Sequence, residues 1–140
     1  MKREVDILKQ LFAAINRNDV QAMIRDFDPQ IVRVEPSDSA PADSYRGIEE
    51  VRENVRRGRG SWAEGSCEPE KFLFNGGKVV VYVHARVRLK GATEWNGYRF
   101  ADGFAFRDGK ITEYRTFAER AQALEWAGIQ DDGVGEVERE

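Results

Sequence analysis

Between Tyr98 and Arg107 the sequence places one acid among aromatic rings at the spacing of a β-strand. Phe100, Asp102, Phe104 and Phe106 alternate with Arg99, Ala101, Gly103, Ala105 and Arg107. A strand sends successive side chains to opposite faces, so Asp102 shares its face with three phenylalanines. An ionised carboxylate on an apolar face is costly unless it is paired or hydrogen-bonded. Burial can raise a carboxyl pKa by about 3–5 units, which turns an acid into a proton donor near neutral pH. The same spacing also admits a plainer arrangement, an ionised and solvated Asp at a strand edge. A second acid, Glu35, closes the segment Ile31-Val32-Arg33-Val34-Glu35 just before Pro36. Simple alternation there buries Val32 and Val34 and sends Arg33 and Glu35 to solvent.

Other reactive groups offer less. Ser37, Ser39 and Ser44 lie in a loop rich in turn residues, with no histidine at a spacing that would activate them. Cys67 is the single cysteine, which excludes an internal disulfide, fits a reducing compartment and reads as structural. His84 is the single histidine, in phase with Tyr82 and Arg86 and opposite in parity to the valines around it. One His and one Cys give no metal-ligand cluster, so neither a metal nor another cofactor is expected. Trp62, Trp95 and Trp126 read as core or rim packing. The cluster Arg52, Arg56, Arg57 and Arg59 follows one helix and its exit and reads as a solvated face, with contact to an anionic ligand or to the acidic tail as the alternative.

The elements that must position these groups follow from periodicity. Val5, Leu8, Leu11, Phe12 and Ile15 recur at helical spacing and predict an amphipathic helix over 3–17. Asn18 is placed to cap a second helix ending near Phe27, broken by Asp28-Pro29. A short strand covers 31–35, a loop 36–46, and a third helix about 47–57, stopped by Gly58 and Gly60. Strands are then predicted over 67–74, over 78–90, through Asp102, and over 111–117, with tight turns at Asn75-Gly76-Gly77 and Asp108-Gly109. Val79, Val81, Val83, Ala85, Val87 and Leu89 line one face of the long strand. A short closing helix fits 119–127. The order predicts an α+β domain over 1–128, three helices packed on one face of a curved antiparallel sheet, enclosing an apolar cavity.

Composition sets the outer bounds. The 140 residues are 41% hydrophobic and 34% charged, an ordinary single domain. The net charge of −3 is concentrated in residues 131–140, which carry −4 and leave the body near +1. That balance argues against a nucleic-acid partner, and 129–140 reads as an acidic, unstructured tail. Met1–Asp6 holds no hydrophobic signal core, and no apolar run approaches membrane-spanning length; a cytoplasmic location is expected.

Four local motifs carry a resemblance over about residues 3–120. They are Asn18-Asp19 between the first helices, Val34-Glu35-Pro36, Tyr45-Arg46-Gly47, and the ending Phe104-Ala105-Phe106-Arg107-Asp108-Gly109-Lys110-Ile111. With this order of elements the chain resembles the nuclear transport factor 2-like superfamily, in its SnoaL-like and ketosteroid-isomerase-like branch. The resemblance implies a cystatin-like roll with a cone-shaped cavity, and a superfamily that holds both enzymes and non-catalytic binders. It places Glu35 at the general-base position of the ketosteroid isomerases. It places Asp102 at their protonated oxyanion donor, a carboxyl held neutral by its apolar site. Their helix-one tyrosine falls at Leu11 or Phe12, with Tyr114 a substitute donor. In limonene-epoxide-hydrolase-like sites the second Asp would fall at Thr116. Scytalone-dehydratase-like sites need two histidines. SnoaL-type polyketide cyclases use an Asp as acid/base, compatible with Asp102.

The resemblance also turns Arg33 and Glu35 inward, against the alternation. It implies a ligand-binding set of Arg33, Tyr45, Trp62, Val83, Phe100 and Phe104, and a homodimer through the outer sheet face where His84 stands. Two functions follow as expectations. One is cofactor-free proton transfer on a small hydrophobic carbonyl compound (isomerase, cyclase or hydro-lyase) by Glu35, Asp102 and Tyr114. The other is a non-catalytic dimeric domain for a small hydrophobic or polar-tailed ligand or a partner protein.

Overall fold

A computed structural model of the chain describes residues 2–36, 43–130 and 137–139, the last three by backbone alone. The elements are α1 (Lys2–Asn16), α2 (Val20–Met23), β1 (Phe27–Glu35), β2 (Asp43–Arg46), α3 (Ile48–Gly60), β3 (Trp62–Asn75), β4 (Lys78–Leu89), β5 (Asn96–Arg107), β6 (Lys110–Phe117), α4 (Arg120–Ala127) and β7 (Val137–Arg139). One sheet runs in the order β2-β1-β6-β5-β4-β3-β7.

The α+β class holds, with one change to the sheet. β3 to β6 form the expected antiparallel meander, but β1 joins β6 in parallel. The chain between them includes α3 and three long strands, enough for the crossover a parallel pair needs. Alternation along a strand says which face is buried and nothing about the direction of its neighbour.

Both sheet faces are covered, unequally. On the inner face Val79, Val81, Val83, Ala85 and Val87 pack with Val5, Leu8, Leu11 and Phe12 of α1. Leu89, expected in that row, is exposed at the hairpin end. On the outer face α4 lays Ala123, Leu124 and Ala127 over Leu73, Val80, Tyr82 and Ala101. Gly103 is required there: a Cβ would meet Trp126 Cζ3 at 2.7 Å.

Several boundaries move for local reasons. Asp19, not Asn18, caps α2, its carboxylate accepting from the Ala22 N–H at 3.1 Å, while Asn18 takes φ 58° to turn the chain. The helix ends at Met23, and Phe27-Asp28-Pro29 already belongs to β1. A register shift between Phe27 and Val32 spares Pro29 a ladder hydrogen bond. α3 runs on through Gly58 to Gly60. β3 starts at Trp62 rather than 67. β2 lies in the predicted loop, held by pairing with β1. Val137–Arg139 pair with Leu73–Lys71, where composition predicts an unstructured tail. Ser37, Ser39 and residues 131–136 lie outside the described residues.

Candidate functional site

A cavity of about 560 Å³ opens between the inner sheet face, α1 and α3. Leu11, Phe12, Ile15 and Met23 form its apolar wall, and Trp62, Tyr98 and Phe100 add rings. Its polar residues come from adjacent strands and from Asn54 and Arg59 of α3. Arg33 on β1 lies beside Tyr114 on β6, and Thr116 on β6 lies beside Asp102 on β5.

Arg33 is only 7% exposed, so its charge must be met inside the protein. Its Nη1 donates to the Val34 carbonyl at 2.9 Å and the Tyr114 carbonyl at 3.2 Å. Its Nη2 donates to Thr116 Oγ1 at 2.9 Å and stands 3.7 Å from Glu35 Oε2. The guanidinium also lies 3.9 Å over the Tyr114 ring. Thr116 Oγ1 in turn donates to Asp102 Oδ1 at 2.6 Å. Glu35 accepts at Oε1 from Asn54 Nδ2 of α3 at 2.7 Å. A continuous polar line therefore runs from α3 across three strands to Asp102.

Asp102 is 2% exposed. Burial pushes its carboxyl up to about 6; the nearby Arg33 charge and the Thr116 hydrogen bond hold it down, and Glu35 adds a smaller upward push. Burial also drives the Tyr114 phenol above its usual range, so it stays protonated. The Cys67 thiol, buried in the cavity wall, is pushed up to about 12 by desolvation and is no nucleophile at neutral pH. At the rim Arg59 donates from Nε to the Ile15 carbonyl at 2.6 Å and from Nη2 to the Asn16 carbonyl at 3.3 Å. It thus caps the end of α1, with its guanidinium 4.4 Å over the Trp62 ring.

Glu35, Asp102, Tyr114, Arg33, Trp62 and Phe100 all line this cavity. Glu35 and Arg33 face it against the alternation, held there by the network above, which engages both Nη atoms of Arg33 and leaves its buried Nε without a partner among the described residues. Three expected ligand contacts do not line it. Val83 and Phe104 are fully buried behind the wall, Phe104 being stacked on Tyr114 at 4.7 Å and edge-on to Phe12 at 6.4 Å. Tyr45 lies in a separate groove with Glu49, Glu50, Glu53 and Arg57.

His84 lies on the outer face, between Glu68 and Arg99 in register. Trp95 is 49% exposed, with the Arg86 guanidinium 6.0 Å from its ring centre, which leaves it out of the core and at the surface. Leu11 and Phe12 bring no hydroxyl to the cavity from α1. Sequence reasoning missed Asn54, Tyr98 and the linking role of Thr116, and its solvated helix face is corrected at Arg59, which the carbonyls at the end of α1 draw to the cavity rim. Asn54 carried a signal, since it follows Val51 by three residues, on the face α3 buries. Among the described residues no group of three or more His, Cys, Asp or Glu could hold a metal ion, and no helix is long and apolar enough to cross a membrane.

Known proteins agree with this geometry at the level of fold. No curated protein matches the sequence. A structure of a nuclear transport factor 2-like protein of unknown function from Burkholderia pseudomallei is similar, with TM-score 0.75 and 18% identity, covering 91% of this chain and 98% of that one. So is a protein of ketosteroid-isomerase-like fold from Catenulispora acidiphila, in complex with trimethylamine, with TM-score 0.70, 18% identity and coverage of 90% and 95%. A third is an epoxide hydrolase/cyclase-like enzyme of pyran ring formation in the polyether salinomycin, with TM-score 0.70, 22% identity and coverage of 86% and 92%. The SnoaL-like domain family matches residues 8–114, well over half of the sequence. The chain belongs to the SnoaL-like domain family.

Proposed function

We propose that this protein binds a small hydrophobic carbonyl compound and moves a proton on it, using side chains alone. The observation that carries the reading is Asp102: 2% exposed, in the wall of an apolar cavity, with its carboxyl at about 6. Such a group is mostly ionised at neutral pH and easily protonated, so it can take a proton from carbon and return it elsewhere. The resemblance gave Asp102 a permanently neutral role and made Glu35 the base. The value of about 6 favours Asp102 itself as the proton carrier. Glu35, already engaged by Asn54 and Arg33, then serves as the second carboxylate near the substrate. Tyr114 and Arg33 supply positive potential for a developing enolate. A protein of similar fold is an epoxide hydrolase/cyclase-like enzyme, which supports an enzymatic reading.

The test is deuterium incorporation from heavy water next to the carbonyl in a panel of cyclic ketones and 1,3-diketones. Wild type should exchange at least one of them, and Asp102→Asn should slow that exchange by about 10²–10⁴-fold. Equal rates in the two proteins overturn the assignment. A second reading, a static ligand-binding domain, is favoured by the apolar Leu11 and Phe12 on α1; it predicts ligand-induced thermal stabilisation with no exchange in any compound.

A further inference from the structure

We propose that Thr116 is a positioning residue that fixes which oxygen of Asp102 carries the proton: Oδ1 is held as a hydrogen-bond acceptor, and the proton resides on Oδ2. A guanidinium only donates, and a threonine hydroxyl has a single hydrogen. Arg33 Nη2, 2.9 Å away, occupies a lone pair of Thr116 Oγ1, so the hydroxyl hydrogen points to its other neighbour, Asp102 Oδ1, at 2.6 Å. A proton on Oδ1 would turn that hydrogen away, and among the described residues the hydroxyl has no further partner. Arg33 is held in this arrangement, because its Nη1 is anchored on two carbonyls and its guanidinium carbon lies 3.9 Å from the centre of the Tyr114 ring. Polarised by Arg33, the hydroxyl is a stronger donor than an isolated one.

The charged and titratable groups round Asp102 are few. β1 presents Arg33 and Glu35, β6 Tyr114, β3 Cys67, β5 itself Tyr98 and Arg99, and α3 Arg59 across the same cavity. The α1 wall is Leu11, Phe12 and Ile15. None of these groups is hydrogen-bonded to the carboxyl by its side chain; among the described residues that bond comes from Thr116. It therefore stabilises the ionised form directly, while Arg33 acts both through space and through Thr116.

For catalysis the consequence rests on the proton-transfer reading: the ligand exchanges its proton with Oδ2 alone. The protonation geometry itself needs no ligand. Its test is a carboxyl carbon NMR titration of Asp102 in wild type, Thr116→Val, Thr116→Ala and Thr116→Ser. Losing the hydroxyl in Val or Ala should raise the Asp102 midpoint by about one pH unit, the size expected of a hydrogen bond to a charged group. Serine keeps the donor and should stay within about 0.3 pH unit of wild type. An unmoved midpoint in the folded Val or Ala variant overturns the proposal, as does a serine variant that moves with them. Because no substrate enters the titration, a silent ketone panel leaves this result standing. Conversely, a failed titration would leave any effect of Asp102→Asn on exchange intact.

Discussion

The cavity and the outward face of α3 both pair arginine with glutamate, and they use the pairs differently. On α3, Arg56 Nε donates to Glu53 Oε2 at 2.9 Å, with the two side chains 55% and 50% exposed. In the cavity the Arg33–Glu35 contact is longer, 3.7 Å, yet the Arg33 side chain is 8% exposed. Water screens the first pair and competes for every one of its hydrogen bonds. In the second only Arg33 has lost that alternative, Glu35 being 37% exposed, so each neighbour of Arg33 is needed to hold its charge. Distance alone ranks the pairs in the wrong order.

The largest effect is expected of Arg33→Met. It leaves the buried Asp102 without its nearby cation and the half-exposed Glu35 without its ion pair, and stranding a buried charge costs up to about 3–5 kcal/mol. Urea unfolding at pH 7 should show a loss of that order. The loss should shrink at pH 5, where Asp102 is mostly protonated and no longer needs a counter-charge. A deficit independent of pH would mean that Arg33 acts by packing alone.

Asp102 gives the next largest effect. Its folded pKa of about 6 stands above the ordinary 3.8, so between those values the folded state binds more protons than the unfolded one. The stability tied to this proton is fully present below about pH 3.8 and lost as the pH rises through about 6. At about 1.4 kcal/mol per pKa unit the difference approaches 3 kcal/mol. Asp102→Asn should therefore gain on wild type across that window, measured as unfolding free energy against pH. Parallel curves would show an unshifted Asp102.

How much of this was legible depends on whether a residue's own strand or helix decides its fate. Asp102 was legible: the phase of Phe100 and Phe104 put it on the inner face, and β5 is a central strand with that face covered. Arg33 and Glu35 were not legible from alternation. Val32 and Val34 looked like the buried pair, but β1 buries Arg33 because Thr116 and Tyr114 from a strand eighty residues away satisfy it. The motif Val34-Glu35-Pro36 pointed inward where local pattern did not. Phe104 and Val83 show the converse limit, since parity gives a face but not whether that part of the face meets a cavity or a helix. β2 and β7 were missed because edge strands of exposed residues carry little hydrophobic signal and owe their form to a partner.

The smallest effect belongs to the exposed side of the comparison. Glu53 is held below its usual pKa, first by its hydrogen bond from Arg56, and Arg56 is correspondingly raised. Read as stability these shifts would make the pair look valuable. Both side chains are in solvent, however, where ions and water replace each partner when it is removed. Arg56→Ala should leave the urea midpoint within experimental error of wild type, and added salt should change neither protein's midpoint relative to the other. A clear loss in Arg56→Ala would show that this helix face is covered in solution, because only removal from water gives such a pair the weight that Arg33 carries inside the cavity.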